Sequence, residues 1–196
     1  MISRDKALIL IQEKVANKNI VKHMIALEAL MGGVYDELRK SKTNEELGGT
    51  KEEWMMAGLL HDGDYCENVP VEKQGIQISE WVRERGYEIP ENVAYAIASH
   101  NWRNTGVEPK SLMDWTIFIG DSLTGLIVAS ALVLQSKKLS DLTTETVLRR
   151  FKETRFAAGT RREDIVLCQE KIGLSLEEFI SVSLKAMQER AAELGL

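Results

Sequence analysis

Residues 115–134 constrain this chain more than any other stretch, because they are almost unbroken apolar sequence with Asp121 as the only charge. A helix of that length spans either a bilayer or the middle of a helical bundle. Lys137 and Lys138 follow it, as basic residues often follow a membrane span. Against a span stand Gly120, Ser122, Thr124 and Gly125, and above all Asp121. An aspartate at the centre of an inserted helix costs about 2.5–3.5 kcal/mol. The central helix of a bundle explains the same pattern without that cost, so no membrane partner is expected.

The rest of the chain carries helical periodicity too, and only three prolines interrupt 196 residues, so the expected fold is all-α. With 44% hydrophobic and 28% charged residues there is enough to fill one core, and no linker divides the chain. A single domain over residues 1–196 is therefore expected. A first helix should run from a Ser3 cap to about Ala16. The second presents Ile20, Met24, Leu27, Met31, Val34 and Leu38 as one stripe, with His23 beside it. Thr50 and Glu53 form a capping-box pattern that opens a third helix, which ends in His61-Asp62 and leaves at Gly63. Further helices are expected over 72–85, 91–99 and 142–156. Capping boxes at Thr160 with Glu163 and Ser175 with Glu178 should start the last two. Residues 39–49 and 101–109 read as loops.

The net charge of −5 gives no general reason to expect nucleic-acid binding. Cys66 and Cys168 lack metal-type spacing and read as reduced thiols of a cytosolic protein. The apolar run at 7–11 is too short for a signal peptide, and a cytoplasmic location follows as the expectation.

Chemistry concentrates at residues 57–65, Ala-Gly-Leu-Leu-His-Asp-Gly-Asp-Tyr. Here an apolar helix delivers His61 and Asp62 side by side, turned about 100° from each other, so both can reach one ion between this helix and its neighbours. His23 and Asp121 arrive from two other apolar helices. Taken singly, each has a plainer reading. His23 is a helix histidine satisfied within the protein, His61 a partner for a helix C-terminus, and Asp121 a core hydrogen-bonding group. Asp64 reads as a carboxylate supporting the site or as a turn residue. His100 ends a helix or contacts substrate; Trp102 beside it packs in the core or stacks on a base. Arg149, Arg150, Lys152, Arg155, Arg161 and Arg162 form the one dense basic stretch, a solvated face or a phosphate clamp.

The order His23, His61-Asp62, Asp121 resembles the HD-domain metal-dependent phosphohydrolase superfamily. The run Val21-Lys22-His23-Met24-Ile25-Ala26-Leu27-Glu28 is similar to the family's first ligand helix. Residues 57–65 are similar to its HD helix, in the variant that continues Asp-Tyr. Ile97-Ala98-Ser99-His100-Asn101 and Gly120-Asp121-Ser122-Leu123-Thr124-Gly125-Leu126-Ile127 resemble later family segments. Phe156-Ala157-Ala158-Gly159 followed by Arg162-Glu163 resembles the tail of a small hydrolase subset. The likeness covers roughly residues 20–174. It implies an HD-type bundle with its core over about 20–135 and C-terminal helices over about 142–195 packed on it.

The same likeness implies a metal held by His23, His61, Asp62 and Asp121. Relatives with two metals carry two histidines between the HD pair and the last aspartate, whereas here Gln74 stands at one of those positions. One divalent ion is therefore expected. Two imidazoles and two carboxylates suit Mn²⁺, Fe²⁺, Co²⁺, Ni²⁺ or Mg²⁺, with Zn²⁺ possible. Such an ion makes water more acidic and polarises a phosphoryl group. The implied activity is hydrolysis of a small phosphoester, a nucleotide or another phosphomonoester. Asp62, His100 and Asp64 are the expected catalytic groups, and Lys22, Gln74, Arg161 and Arg162 the expected substrate contacts. The alternative is a degenerate HD module that binds metal or nucleotide and regulates without turnover.

Overall fold

In the structure, a computed structural model describing residues 1–196, the chain is all-α and contains no strand. Helix α1 (Arg4–Lys14) starts at Ser3, whose hydroxyl accepts from the Lys6 N–H. Helix α2 (Lys18–Leu38) is buried along most of its length. Residues 39–49, expected as loop, contain a short helix α3 (Asn44–Leu47), started by a capping box between Thr43 and Glu46. Helix α4 (Lys51–Leu60) opens with the anticipated box between Thr50 and Glu53 and delivers His61 as its C-cap. Gly63 leaves the helix without a positive φ; its missing side chain makes room for Ile78, whose Cδ1 would lie 2.7 Å from a β-carbon there.

The helix expected over 72–85 is broken. A 3-10 turn (Val71–Lys73) is followed by Gly75 at φ +94°, and only then does α5 (Gln77–Glu84) begin. Helix α6 (Glu91–His100) ends on His100, and a short α7 (Trp102–Thr105) follows within the expected loop. Helix α8 (Leu112–Leu132) contains most of the apolar run. It is long and apolar enough to cross a membrane, yet 61% of its most apolar window is buried inside the fold. Helix α9 (Thr144–Lys152) precedes α10 (Arg162–Ile165), α11 (Cys168–Lys171), α12 (Leu176–Glu189) and α13 (Ala191–Leu194). The capping box expected at Thr160 does not form: Arg161 is the N-cap of α10 and makes no side-chain cap bond. The box of Ser175 with Glu178 does form.

Helix α2 packs against α4, α8 and α12, and α6 lies across α8 and α4. Two glycines set how close the first two neighbours come. A β-carbon on Gly58 of α4 would lie 2.8 Å from the Leu27 carbonyl oxygen and 2.9 Å from the Glu28 nitrogen. One on Gly120 of α8 would lie 2.8 Å from Leu30 Cδ2. At Gly58 the approach is to backbone and is open only to glycine, whereas at Gly120 it is to leucine side chains. These approaches draw the ends of α4 and the middle of α8 onto the same turn of α2. One apolar cluster of 48 buried side chains, from Ile2 to Leu194, fills the space between the helices. A partly buried ion pair borders it: Arg4 donates to both oxygens of the buried Glu28, at 2.7 and 2.9 Å, and to Glu193 at 2.6 Å.

Candidate metal centre

Where α4 and α8 close on α2, four ligand-type side chains meet. His23 Nε2 lies 3.1 Å from His61 Nε2 and 2.9 Å from Asp121 Oδ1. His61 Nε2 lies 3.4 Å from Asp62 Oδ2. Across the group, His23 to Asp62 Oδ2 is 3.8 Å and His61 to Asp121 Oδ1 is 3.9 Å. Around an ion about 2.1 Å from each donor, neighbouring donors of an octahedron stand about 3.0 Å apart and opposite ones about 4.2 Å, whereas every pair in a tetrahedron stands about 3.4 Å apart. The spacings along the row Asp62, His61, His23 and Asp121 lie near these edge lengths, with the two carboxylates at its ends. His23, His61 and Asp62 together can hold a metal ion.

The hydrogen bonds behind the imidazoles fix which nitrogen faces inward. A carbonyl oxygen only accepts, so His61 Nδ1–H donates to Gly58 O at 2.8 Å and His100 Nδ1–H to Ile97 O at 2.5 Å. Thr124 does the same for His23 at one remove. Its hydroxyl donates to Asp121 O at 2.8 Å, so its oxygen accepts from His23 Nδ1–H at 3.0 Å. All three Nε2 atoms are thus turned toward the two carboxylates. Two lone pairs 3.1 Å apart repel unless a proton or a cation lies between them.

Charge follows the same geometry. Burial opposes a charge on His23, but the Asp121 carboxylate outweighs it and holds the imidazole above its ordinary value. His100 is raised likewise, burial being overcome by Asp62, whose Oδ1 lies 3.4 Å from His100 Nε2. Asp62 and Asp121 are themselves depressed, because the facing imidazoles outweigh burial. The cluster therefore favours positive charge at its centre, as protons or as a metal cation.

No known family model, curated protein or solved structure matches this chain. The site's chemistry must be read from its own residues.

The cluster is unevenly exposed. His61 is fully buried, while His23, Asp62 and Asp121 keep about a fifth of their side-chain surface exposed. His23 and Asp121 line a cleft of about 400 Å³ together with Ser122, Gly125 and residues 157–161. Ala157 turns the chain over this cleft in the left-handed region, at φ +45°. Arg161 is the cation at the mouth. Its Nη2 lies 3.5 Å from Asp121 Oδ2, and its Nε lies 3.0 Å from Asp164. Asp164 is buried and is gripped on both oxygens by Arg103, at 3.0 and 2.6 Å.

The other residues singled out by sequence land in different places. His100 touches Asp62 and stacks edge-on against His61, at 5.0 Å between ring centres. Asp64 does not face the cluster. Both its oxygens accept from the Gly75 N–H at 2.9 Å, and Oδ2 accepts from the Ile78 N–H. It holds Gly75 beside the His100 ring, a place in which any β-carbon would clash with Ile97 O, so a catalytic role gives way to a positioning one. Burial holds its carboxyl above the usual range. Gln74 donates to Val69 O at 3.3 Å and lines another cavity, with Tyr65 and Cys66, so it is not placed to contact a substrate in the cleft.

Arg162 is likewise withdrawn. Its guanidinium donates to the carbonyls of Phe151, Glu153 and Phe156 at 2.7, 3.1 and 2.6 Å, with longer bonds to those of Arg150, Ala157 and Thr160. That leaves it no free donor for a phosphate. Lys22 is exposed beside His23, in a neighbouring cavity. Trp102 packs edge-on against Phe118. Both cysteines are free. Thr124, Asp164 and Arg103 were invisible to sequence reading, although Thr124 stands one helical turn from Asp121, the position from which a hydroxyl can serve the same site.

Proposed function

We propose that this chain is a metal-dependent phosphohydrolase of the HD-domain type, acting on a small phosphoester such as a nucleotide or another phosphomonoester. The observation that carries the reading is the pair of Nε2 atoms of His23 and His61, 3.1 Å apart, each with its Nδ1 proton already committed and two carboxylates alongside. His23, His61, Asp62 and Asp121 would hold one divalent ion, and the nitrogen and oxygen donor set suits Mn²⁺, Fe²⁺, Co²⁺, Ni²⁺ or Mg²⁺. Bound there, such an ion supplies a more acidic water and a polarised phosphoryl oxygen.

The chain's own residues do the rest. Arg161, aimed by Asp164, meets the anionic group at the cleft mouth. His100 has one nitrogen tied to Ile97 O and the other beside Asp62. It can therefore carry a proton on Nε2 and hand it to the departing alcohol. Asp62 serves both sides, with Oδ2 toward the imidazole pair and Oδ1 toward His100. Asp64 keeps the segment under His100 in place.

Metal analysis and titration, followed by a hydrolysis screen over phosphomonoesters, phosphodiesters and nucleotides, test this reading. One ion per chain is expected. Asp62→Ala should lose both metal and turnover. His100→Ala should keep its ion and slow turnover by about 10²–10⁴-fold. A metal-filled wild-type protein that turns over nothing in the screen would replace hydrolysis with a second reading, a binding module that regulates without catalysis. That reading is favoured by one observation: the Gln74 amide is spent on Val69 O, so no further ligand comes from that position. Loss of metal from His100→Ala would move His100 into the ligand set.

A further inference from the structure

Asp121, Gly125, Val128 and Leu132 fall at i, i+4, i+7 and i+11, so they form one stripe along α8 leading away from the ligand cluster. A second cavity, of about 370 Å³, lies along the outer part of this stripe. Val128, Leu132 and Leu194 give it apolar walls, and Lys22 stands at its rim. It shares two lining residues with the cleft described above, His23 and Gly125. The two hollows therefore meet at Gly125. The inner one carries Arg161 and the Asp121 carboxylate, and the outer one is lined largely by hydrocarbon.

Gly125 itself has no packing reason to be glycine. Nothing lies within 4 Å of a β-carbon built on it, in contrast to Gly58 and Gly120 on either side of α2. A glycine in the middle of a long helix is unfavourable where nothing demands it. What its missing side chain leaves open is the passage between the two hollows.

We propose that Gly125 is a specificity-determining saddle over which a substrate lies, its anionic phosphate group at Arg161 and an apolar or aromatic body in the Val128–Leu132–Leu194 hollow. The proposal rests on the phosphohydrolase reading and names its substrate class: a phosphoester with a sizeable apolar body rather than a small, wholly polar one.

The test measures binding, not turnover. Full-length protein saturated with Mn²⁺ is titrated calorimetrically with methylphosphonate, benzylphosphonate and naphthylmethylphosphonate, none of which is hydrolysed. Affinity should climb by roughly tenfold or more from the first to the last as the body enters the apolar hollow. Gly125→Leu should abolish the climb, leaving the three ligands within about twofold of one another, since the added side chain fills the saddle. Because open space surrounds the site, that variant should fold; Leu132→Lys, at the far end of the stripe, gives an independent route to the same loss. A flat series in the wild type overturns the proposal, and so does an equal loss for all three ligands in Gly125→Leu. If Mn²⁺ binds but none of the three phosphonates does, the phosphohydrolase reading fails, and this inference fails with it.

Discussion

Thr124 decides which nitrogen of His23 is free, although its hydroxyl never faces the centre of the cluster. By accepting from Nδ1–H it presents the Nε2 lone pair to Asp121 and His61. Thr124→Val keeps the shape of this buried side chain and removes that acceptor. Metal affinity should fall by about 10–100-fold while the metal-free protein melts nearly unchanged; a metal titration beside a thermal melt checks this. The same residues dictate a pH dependence. His23 is held above the ordinary imidazole value, so protons compete with metal at that nitrogen from a higher pH than usual, whereas the depressed Asp62 and Asp121 stay ionised. Apparent affinity should drop as pH falls through that raised range, by roughly tenfold per pH unit for each proton displaced, as titrations at a series of pH values would show. The four ligand candidates could be picked out because histidine and aspartate stand out on apolar helices. Which arginine serves the cleft could not, since Arg161 and Arg162 are neighbours in sequence and part only when Arg162 is enclosed by carbonyls.

At the level of helices, Gly58 and Gly125 make a matched pair. Alanine is the better helix former at both positions, by about 1 kcal/mol. At Gly125 nothing opposes that gain. At Gly58 the new carbon would meet the backbone of α2, and overpacking of this kind costs about 1–3 kcal/mol. Gly58→Ala should therefore melt lower than wild type and bind metal more weakly, because it pushes His61 off His23; Gly125→Ala should melt higher. Comparative thermal melts decide it. The long helices were legible from periodicity, and the boxes at Thr50 and Ser175 from their spacing. The break at Gly75 was not, because the N–H groups of Gly75 and Ile78, both donating to Asp64 more than ten residues upstream, create it. The box expected at Thr160 was overridden in turn by Arg162 drawing the 150–160 segment around itself. The short helices at Asn44–Leu47 and Trp102–Thr105 lie in polar stretches whose composition resembles loop.

For the whole molecule, Arg4 ties α1 to α2 through Glu28 and to α13 through Glu193. Glu28 is almost entirely buried, so Arg4→Ala strands its charge and should cost about 3 kcal/mol in chemical denaturation. Replacing both partners, as Arg4→Met with Glu28→Gln, should cost much less, since no bare charge remains. The candidate metal ligands, drawn from α2, the end of α4 and α8, likewise come together only in the folded chain. The guanidinium of Arg162 adds a last consequence. By fastening so many carbonyls between 150 and 160, it makes the rim over the cleft a fixed doorway with no door. A visitor then waits for no rearrangement. If the visitor is the anion of the proposed function, its arrival should follow diffusion and the pull of Arg161, changing with ionic strength in a single kinetic phase that rapid-mixing binding traces would show.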